Sequence, residues 1–285
     1  MEQPFNTVAL IGVGLLGGSL GLALKERGLA KTIRGVGRRQ SSLDTALERG
    51  AIDEAYLSVR EAVIGADLVV ICTPANNVPD TLDEIRGLCA PDTVVTDVAS
   101  TKAQICNHMR TAWSEPYSFV GSHPMAGSEK FGPEHANADL YNGAVVFVEI
   151  KDNHDDNAYE KITTLWTALG AIVVPINPEV HDQWVARTSH IPHIVSAAIA
   201  QLVDDHEEAA PFIGNGFKDV TRIAEGRPEI WRDICLTNPE AIAKGLRTLI
   251  ADLESMADAI ESKDGPALED FFEQGVNARR ALLDS

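Results

Sequence analysis

His123 stands in Gly121-Ser122-His123-Pro124-Met125-Ala126-Gly127-Ser128-Glu129, directly after a short apolar stretch, Ser118 to Gly121, that reads as a strand. Imidazole titrates near neutral pH, so one placed beyond the carboxyl end of a strand can take a proton from an alcohol and return it. The competing reading is a hydrogen-bonded turn histidine, which Gly and Pro neighbours favour. Ser100 follows another apolar run, Thr93 to Asp97, and its hydroxyl either serves the same site or caps the next helix. Ser189-His190-Ile191-Pro192-His193 precedes an apolar helix, Ile194 to Val203. Pro192 suits a first helical turn, which would set His193 near the positive end of the helix dipole, where an anion can bind. The two histidines at i and i+3 have no third ligand at useful spacing, so no metal site is expected.

The elements that must position these groups begin at the N-terminus. Thr7 to Ile11 is a buried-strand run, Gly12-Val13-Gly14-Leu15-Leu16-Gly17 follows without a gap, and Ser19 to Arg27 continues as a helix. Strand, G-x-G-x-x-G and helix in that order form a dinucleotide site. The first glycine permits the tight turn, the second admits a pyrophosphate to the backbone, and the third lets helix pack on strand. Leu15 and Leu16 offer backbone N-H groups at the helix start, where the macrodipole favours phosphate. Thr73 and Pro74, at the end of the strand-like Asp67 to Cys72, join the cofactor-binding set. After the second strand, Ile33 to Val36, an NAD-preferring site usually presents an acid to the ribose. Here Gly37-Arg38-Arg39 presents two guanidinium groups, suited to a 2′-phosphate, so NADP is expected ahead of NAD. The competing reading is that both arginines are solvated or stack on adenine.

Val145 to Ile150 and Ala171 to Pro175 read as strands that extend the sheet, with a helix from Asp156 to Leu169 between them. From Glu179 the pattern is almost wholly helical. The expected fold is therefore α/β, with an N-terminal Rossmann-type doubly wound sheet over 1–175 and an all-helical domain over 176–285. Asn238-Pro239 opens a long helix to Ser262. Its apolar residues Ile242, Leu246, Leu249, Ile250, Leu253 and Met256 share one face suited to core or to a subunit interface.

Composition bounds the function. The 285 residues carry 45% hydrophobic and 23% charged side chains, ordinary for a folded chain. A formal charge of -18 opposes binding to nucleic acid or anionic membrane, so an anionic substrate needs local Arg or His groups. Val8 to Leu24 is nearly uncharged, but five glycines interrupt it, and it reads as neither signal peptide nor membrane span. Cys72, Cys89, Cys106 and Cys235 form no C-x-x-C pair and read as reduced thiols of a cytoplasmic protein.

Taken together, Gly12 to Leu20, Thr96-Asp97-Val98-Ala99-Ser100-Thr101-Lys102, Gly121 to Lys130, Ser189 to His193 and Gly216-Phe217-Lys218-Asp219-Val220-Thr221-Arg222-Ile223-Ala224 resemble the prephenate and arogenate dehydrogenases of tyrosine biosynthesis. The resemblance covers most of the chain in order. It implies oxidation of prephenate at its ring carbinol by NAD(P), with loss of the ring carboxylate to give 4-hydroxyphenylpyruvate, and arogenate as an alternative substrate. It further implies His123 as the group that takes the hydroxyl proton, with Ser100 hydrogen-bonded beside it. Arg222 would hold a substrate carboxylate, and His193, with Ser189, would contact the side-chain end. Glu129 would gate the pocket with the segment around Trp231. A homodimer through the helical half, and no appended catalytic or regulatory domain, are also implied. Two other readings stay open. One is a β-hydroxyacid dehydrogenase with Lys218 as its acid/base, and the other is a non-enzymatic NADP sensor.

Overall fold

The computed structural model describes residues 5–113, 118–127, 130–150, 156–203 and 206–283. Strands and helices alternate from the start: β1 (Phe5–Ile11), α1 (Leu15–Glu26), β2 (Ala30–Val36), α2 (Gln40–Glu48), β3 (Glu54–Tyr56), α3 (Val59–Val63), β4 (Leu68–Ile71), α4 (Val78–Ile85), β5 (Val94–Asp97), α5 (Ala103–Ala112) and β6 (Ser118–Val120). These strands form one parallel six-stranded sheet in the order β3-β2-β1-β4-β5-β6. The apolar run in each central strand is the consequence, since helices cover both faces: Leu68, Val69, Val70 and Ile71 have no exposed surface. The strand order reverses between β1 and β4, and an open α/β sheet leaves a ligand crevice at such a switch point.

The chain then changes sheet. β7 (Ser122–Pro124), β8 (Val145–Glu149) and β9 (Ile172–Ile176) form a separate three-stranded sheet, with β7 antiparallel to β8 and β8 parallel to β9. The expectation that Val145 to Ile150 and Ala171 to Pro175 extend the first sheet is thereby corrected. The switch happens at Gly121. Val120 still pairs with Thr96, whereas Ser122 already pairs with Val148, and a Cβ on Gly121 would stand 2.8 Å from the Cys106 sulfur. A side chain at 121 would force the turn apart. α6 (Asp156–Ala168) supports the second sheet, and its Trp166 is fully buried against Tyr141 at 5.3 Å between ring centroids.

Helices follow: α7 (Pro178–Val185), α8 (Ile191–Gln201), α9 (His206–Ala209), α10 (Asn215–Thr221) and α11 (Pro228–Thr237). By backbone contacts residues 1–239 form one compact unit and 240–285 another. The second holds most of α12 (Pro239–Glu261) and all of α13 (Gly265–Leu283), joined at a turn where Lys263 adopts φ 56°. Ile250, Leu253, Ile260, Phe271, Phe272 and Val276 on these two helices are exposed. None of the described helices is long and apolar enough to cross a membrane. All four cysteines are free thiols.

Candidate active site

The glycine loop closes β1 onto α1 with three glycines in three different situations. Gly12 adopts φ 106°, and a Cβ there would meet the Cys72 carbonyl oxygen at 2.8 Å. A Cβ on Gly17 would run into the Gly12 carbonyl oxygen, so helix and strand meet there without side chains. Gly14 has nothing within 4 Å of the space a Cβ would take. Its exposed backbone leads straight into Leu15 and Leu16, whose N-H groups begin α1 with no side-chain cap and no acid in the first turn. That is an open anion site at a helix N-terminus. Beside it, the buried Thr73 hydroxyl has no hydrogen-bond partner among the described residues, and the backbone turns at Pro74 into the 3-10 turn Ala75–Asn77. Arg38 and Arg39 are exposed just beyond β2 and make no ion pair among the described residues. These features fit a dinucleotide in the β1/β4 crevice.

His123 sits on a strand, not in the loop the sequence suggested. It pairs with Phe147 across β7 and β8 and is 8% exposed. β7 is fastened to the carboxyl end of β5: the Ser122 N-H donates to Asp97 Oδ1 at 3.1 Å, and the Ser122 and Thr96 hydroxyls lie 2.9 Å apart. Trp166 Nε1 donates to the Ser122 hydroxyl at 3.1 Å and completes the anchor. On its other side, Nδ1 of His123 lies 2.8 Å from Nε2 of His181, and Nδ1 of His181 lies 2.8 Å from Asp182 Oδ1. Burial holds the His123 pKa well below its ordinary value, assisted by the charges of His181, Lys102 and His190. Nε2 of His123 makes no hydrogen bond among the described residues.

Ser100 is half-buried in the turn between Asp97 and α5, and its hydroxyl has no partner among the described residues. It does not cap α5. That helix starts at Ala103, and the groups that need a cap, the N-H of Lys102 and of Ala103, donate to Asp182 Oδ1 and Oδ2 at 2.8 and 2.9 Å. The cap comes from eighty residues downstream, where no local sequence rule can find it. Lys102, 2% exposed, turns its ammonium inward onto Asp97, whose carboxylate also accepts from the Ala99 N-H. Burial raises the Asp97 pKa against the lowering effect of Lys102.

α7 does not end before α8. A π-helical turn, Ala186–His190, joins them, and the Ile191 N-H reaches five residues back to the Ala186 carbonyl. The expected free helix N-terminus at His193 is therefore absent, because the wider turn carries the helix through to Pro192 and absorbs its missing N-H. What the π-turn supplies is aim. His193 Nδ1 donates to the Ser189 carbonyl at 2.9 Å, and its ring stacks on Trp231 with centroids 3.7 Å apart. Burial lowers its pKa, and nearby Arg222 lowers it further. Arg222 is exposed at the start of the 3-10 turn Arg222–Glu225 and makes no ion pair among the described residues. His190, 1% exposed, bridges the two groups: burial depresses its pKa to about 4, and it feels Asp182 and His181 on one side and His193 on the other.

The site thus gathers His123, His181, Asp182 and His190, and next to them His193, Ser189, Arg222 and Trp231. Glu129 lies outside the described residues. Lys218, the base of the β-hydroxyacid reading, is exposed on α10. Sequence reasoning missed His181 and Asp182, which sit inside an amphipathic helix with no motif. It also left Asp97 and Lys102 without a role although both stand in a quoted segment.

Two family descriptions match in succession: the prephenate dehydrogenase nucleotide-binding domain over residues 20–175 and the prephenate dehydrogenase dimerization domain over 177–274. The chain belongs to the prephenate dehydrogenase family. It is a nicotinamide-dependent dehydrogenase of that family. It is 32% identical to the prephenate dehydrogenase of Bacillus subtilis, over 99% of this chain and 77% of that one. It is 29% identical to the cyclohexadienyl dehydrogenase of Zymomonas mobilis, over 98% and 96%. The solved prephenate dehydrogenase of Aquifex aeolicus, in complex with hydroxyphenyl propionate and NAD+, superposes with a TM-score of 0.89 at 27% identity, over 99% of this chain and 100% of that one. The likeness to 3-hydroxyisobutyrate dehydrogenase, with a TM-score of 0.54 at 16% identity, is one of fold alone.

Proposed function

We propose that this protein oxidises prephenate at its ring carbinol with loss of the ring carboxylate, giving 4-hydroxyphenylpyruvate, with arogenate as a secondary substrate. The observation that carries this reading is His123: a neutral, buried imidazole fastened to the carboxyl end of β5, with Nε2 unengaged among the described residues. A neutral base is what an alcohol needs as it becomes a carbonyl. The substrate's hydroxyl proton passes to His123 Nε2, and the unpartnered Ser100 hydroxyl bonds the same oxygen or the imidazole. The bound nicotinamide supplies the acceptor for the hydride that leaves the carbinol carbon. The carboxylate departs as carbon dioxide, and its bonding pair completes the aromatic ring.

Arg222 anchors a substrate carboxylate. A planar, permanently charged guanidinium with no acidic partner among the described residues suits that task. His193 and Ser189 line the side-chain end, which favours prephenate over arogenate, and Glu129 gates the pocket. Gly12, Gly14, Leu15, Leu16 and Gly17 hold the pyrophosphate, with Thr73 and Pro74 along the crevice. Arg38 and Arg39 take a 2′-phosphate, so NADP is preferred and NAD is the lesser cofactor. Residues 1–175 serve the cofactor and 176–285 the substrate and a homodimer, in keeping with the dimerization-domain match. Four free thiols suit a cytoplasmic enzyme.

Initial rates with prephenate and arogenate, each with NADP and NAD, test the reading. Prephenate with NADP should be fastest. Turnover of 3-hydroxyisobutyrate without turnover of prephenate would overturn the reaction, and a preference for NAD would overturn the cofactor assignment alone.

A further inference from the structure

We propose that His181 and Asp182 are positioning residues of the reaction: together they fix the tautomer of His123, keeping its Nδ1 protonated and its Nε2 bare to receive the substrate's proton. The proposal rests on the assignment of His123 as the base.

The argument follows the protons. The Asp182 carboxylate receives the Lys102 and Ala103 N-H groups and lies 2.8 Å from His181 Nδ1. An ionised carboxylate only accepts, so the proton in that last bond belongs to His181 Nδ1. A neutral imidazole carries one N-H, which leaves His181 Nε2 as a lone pair. The atom facing it at 2.8 Å is His123 Nδ1, which must therefore be the donor. One assignment satisfies both bonds, and it leaves His123 Nε2 as the acceptor. When His123 takes up the hydroxyl proton, its positive charge is met by a lone pair on His181 whose ring is polarised by Asp182. No proton moves along the chain. The opposite tautomer of His123 would put a hydrogen on Nε2, where the base is needed, and would leave two lone pairs facing each other at 2.8 Å.

His181 is built into place for this. It has no exposed surface, its ring stands edge-on to Phe147 at 5.3 Å, and its far side lines an apolar pocket of about 300 Å³ with Met125, Val145, Ile176 and Trp184. Asp182 is held by the Asn238 amide, which donates to its carbonyl at 2.8 Å. Capping α5 requires only the Asp182 carboxylate and not the histidine between it and His123. The two duties are therefore separable by changing residue 181 alone.

His181→Leu and His181→Gln make the test in the full-length enzyme, with His123→Asn alongside. Leucine fits the apolar wall and leaves the Asp182 cap intact but offers no acceptor, whereas the Gln Oε1 restores one. We expect His181→Leu to lower kcat about 10²-fold, with the substrate KM and cofactor Kd within about threefold, and His181→Gln to recover at least about tenfold of that loss. Ring 15N shifts of His123 should report an Nδ1-protonated tautomer in the native enzyme and a mixture in His181→Leu. A His181→Leu kcat within about twofold of the native enzyme, or equal losses for Leu and Gln, overturns the proposal. If His123→Asn itself keeps native kcat, the base assignment falls first. An inactive His123→Asn beside a fully active His181→Leu overturns the positioning role alone.

Discussion

The His193 ring lies flat against Trp231, centroids 3.7 Å apart and planes 27° from parallel, while its Nδ1 donates to the Ser189 carbonyl. Stack and hydrogen bond together leave one ring edge, bearing Nε2, to face a ligand. Such a stack is worth about 0.5–1.5 kcal/mol. Trp231→Leu should therefore raise the prephenate KM roughly two- to tenfold with kcat nearly unchanged, read by steady-state kinetics. Gly226→Ala should do the same with both rings retained, because a Cβ there would run into Trp231 Nε1 and push the indole off the histidine. A Gly226→Ala enzyme with native KM would show that the stack does not hold His193 for substrate.

Arg222 has no competing acid among the described residues, so its guanidinium is open to a substrate carboxylate. Arg222→Ala should raise the prephenate KM by about 10- to 10²-fold, the range of a charge-assisted hydrogen bond, with a smaller fall in kcat. Arg222→Lys keeps the charge but loses the fork and should recover only part of the affinity. Full recovery by Lys would mean that the interaction is one of charge alone.

The sequence made the Rossmann half legible because local signals and fold agree there. An apolar run reads as a buried parallel strand, and the glycine loop's three roles follow from backbone sterics at Gly12 and Gly17. The second sheet was misread, because a strand's pattern does not say which sheet it joins, and the deciding contact, Gly121 against Cys106, is tertiary. Ser100 looked like a cap because the serine lies near a helix start, whereas the cap in fact arrives from Asp182. His193 looked like an N-terminal residue because Pro192 usually marks one, and the π-turn that carries α7 into α8 has no sequence signature. The catalytic candidates that were legible sit in short motifs. The groups that hold them, His181 and Asp182, act across the fold, and nothing in their local spacing marks them.

Acid should weaken the fold through His190. Burial lowers its folded pKa from 6.5 to about 4, so between those values the unfolded chain binds a proton that the folded one refuses. Stability then rises with pH across that window, and as pH falls from 6.5 to about 4 the cost grows to roughly 3 kcal/mol. Below about 4 the contribution of His190 levels off. Urea midpoints at pH 7, 6, 5 and 4 should fall steadily, and more shallowly in His190→Gln. Equal slopes for the two proteins would remove His190 as the cause.

Arg38 and Arg39 stand exposed past β2 with no acid paired to them among the described residues. Replacing both with Ala should weaken NADP by about 10²- to 10⁴-fold, since each charge-assisted contact to a phosphate is worth roughly 1.5–3 kcal/mol. NAD has no 2′-phosphate and should lose about threefold or less. Fluorescence titration of the two cofactors reads the difference directly, and equal losses would assign these arginines to the adenine instead.

His123 supplies the sharpest kinetic signature. Its folded pKa lies well below 6.5, chiefly by burial and then by the charges of His181 from α7, Lys102 from the turn before α5 and His190 from the π-turn. All three push the same way, against a proton on His123. The neutral base therefore persists below the pH at which free imidazole is half protonated, and kcat should hold level through pH 6.5 before falling with unit slope on the acid side. The limb belongs to His123, because a proton on its Nε2 leaves no base for the hydroxyl. His123→Asn should lower kcat by about 10² to 10⁴ and abolish that limb while cofactor affinity stays native. A limb that survives unchanged in His123→Asn would place the base elsewhere.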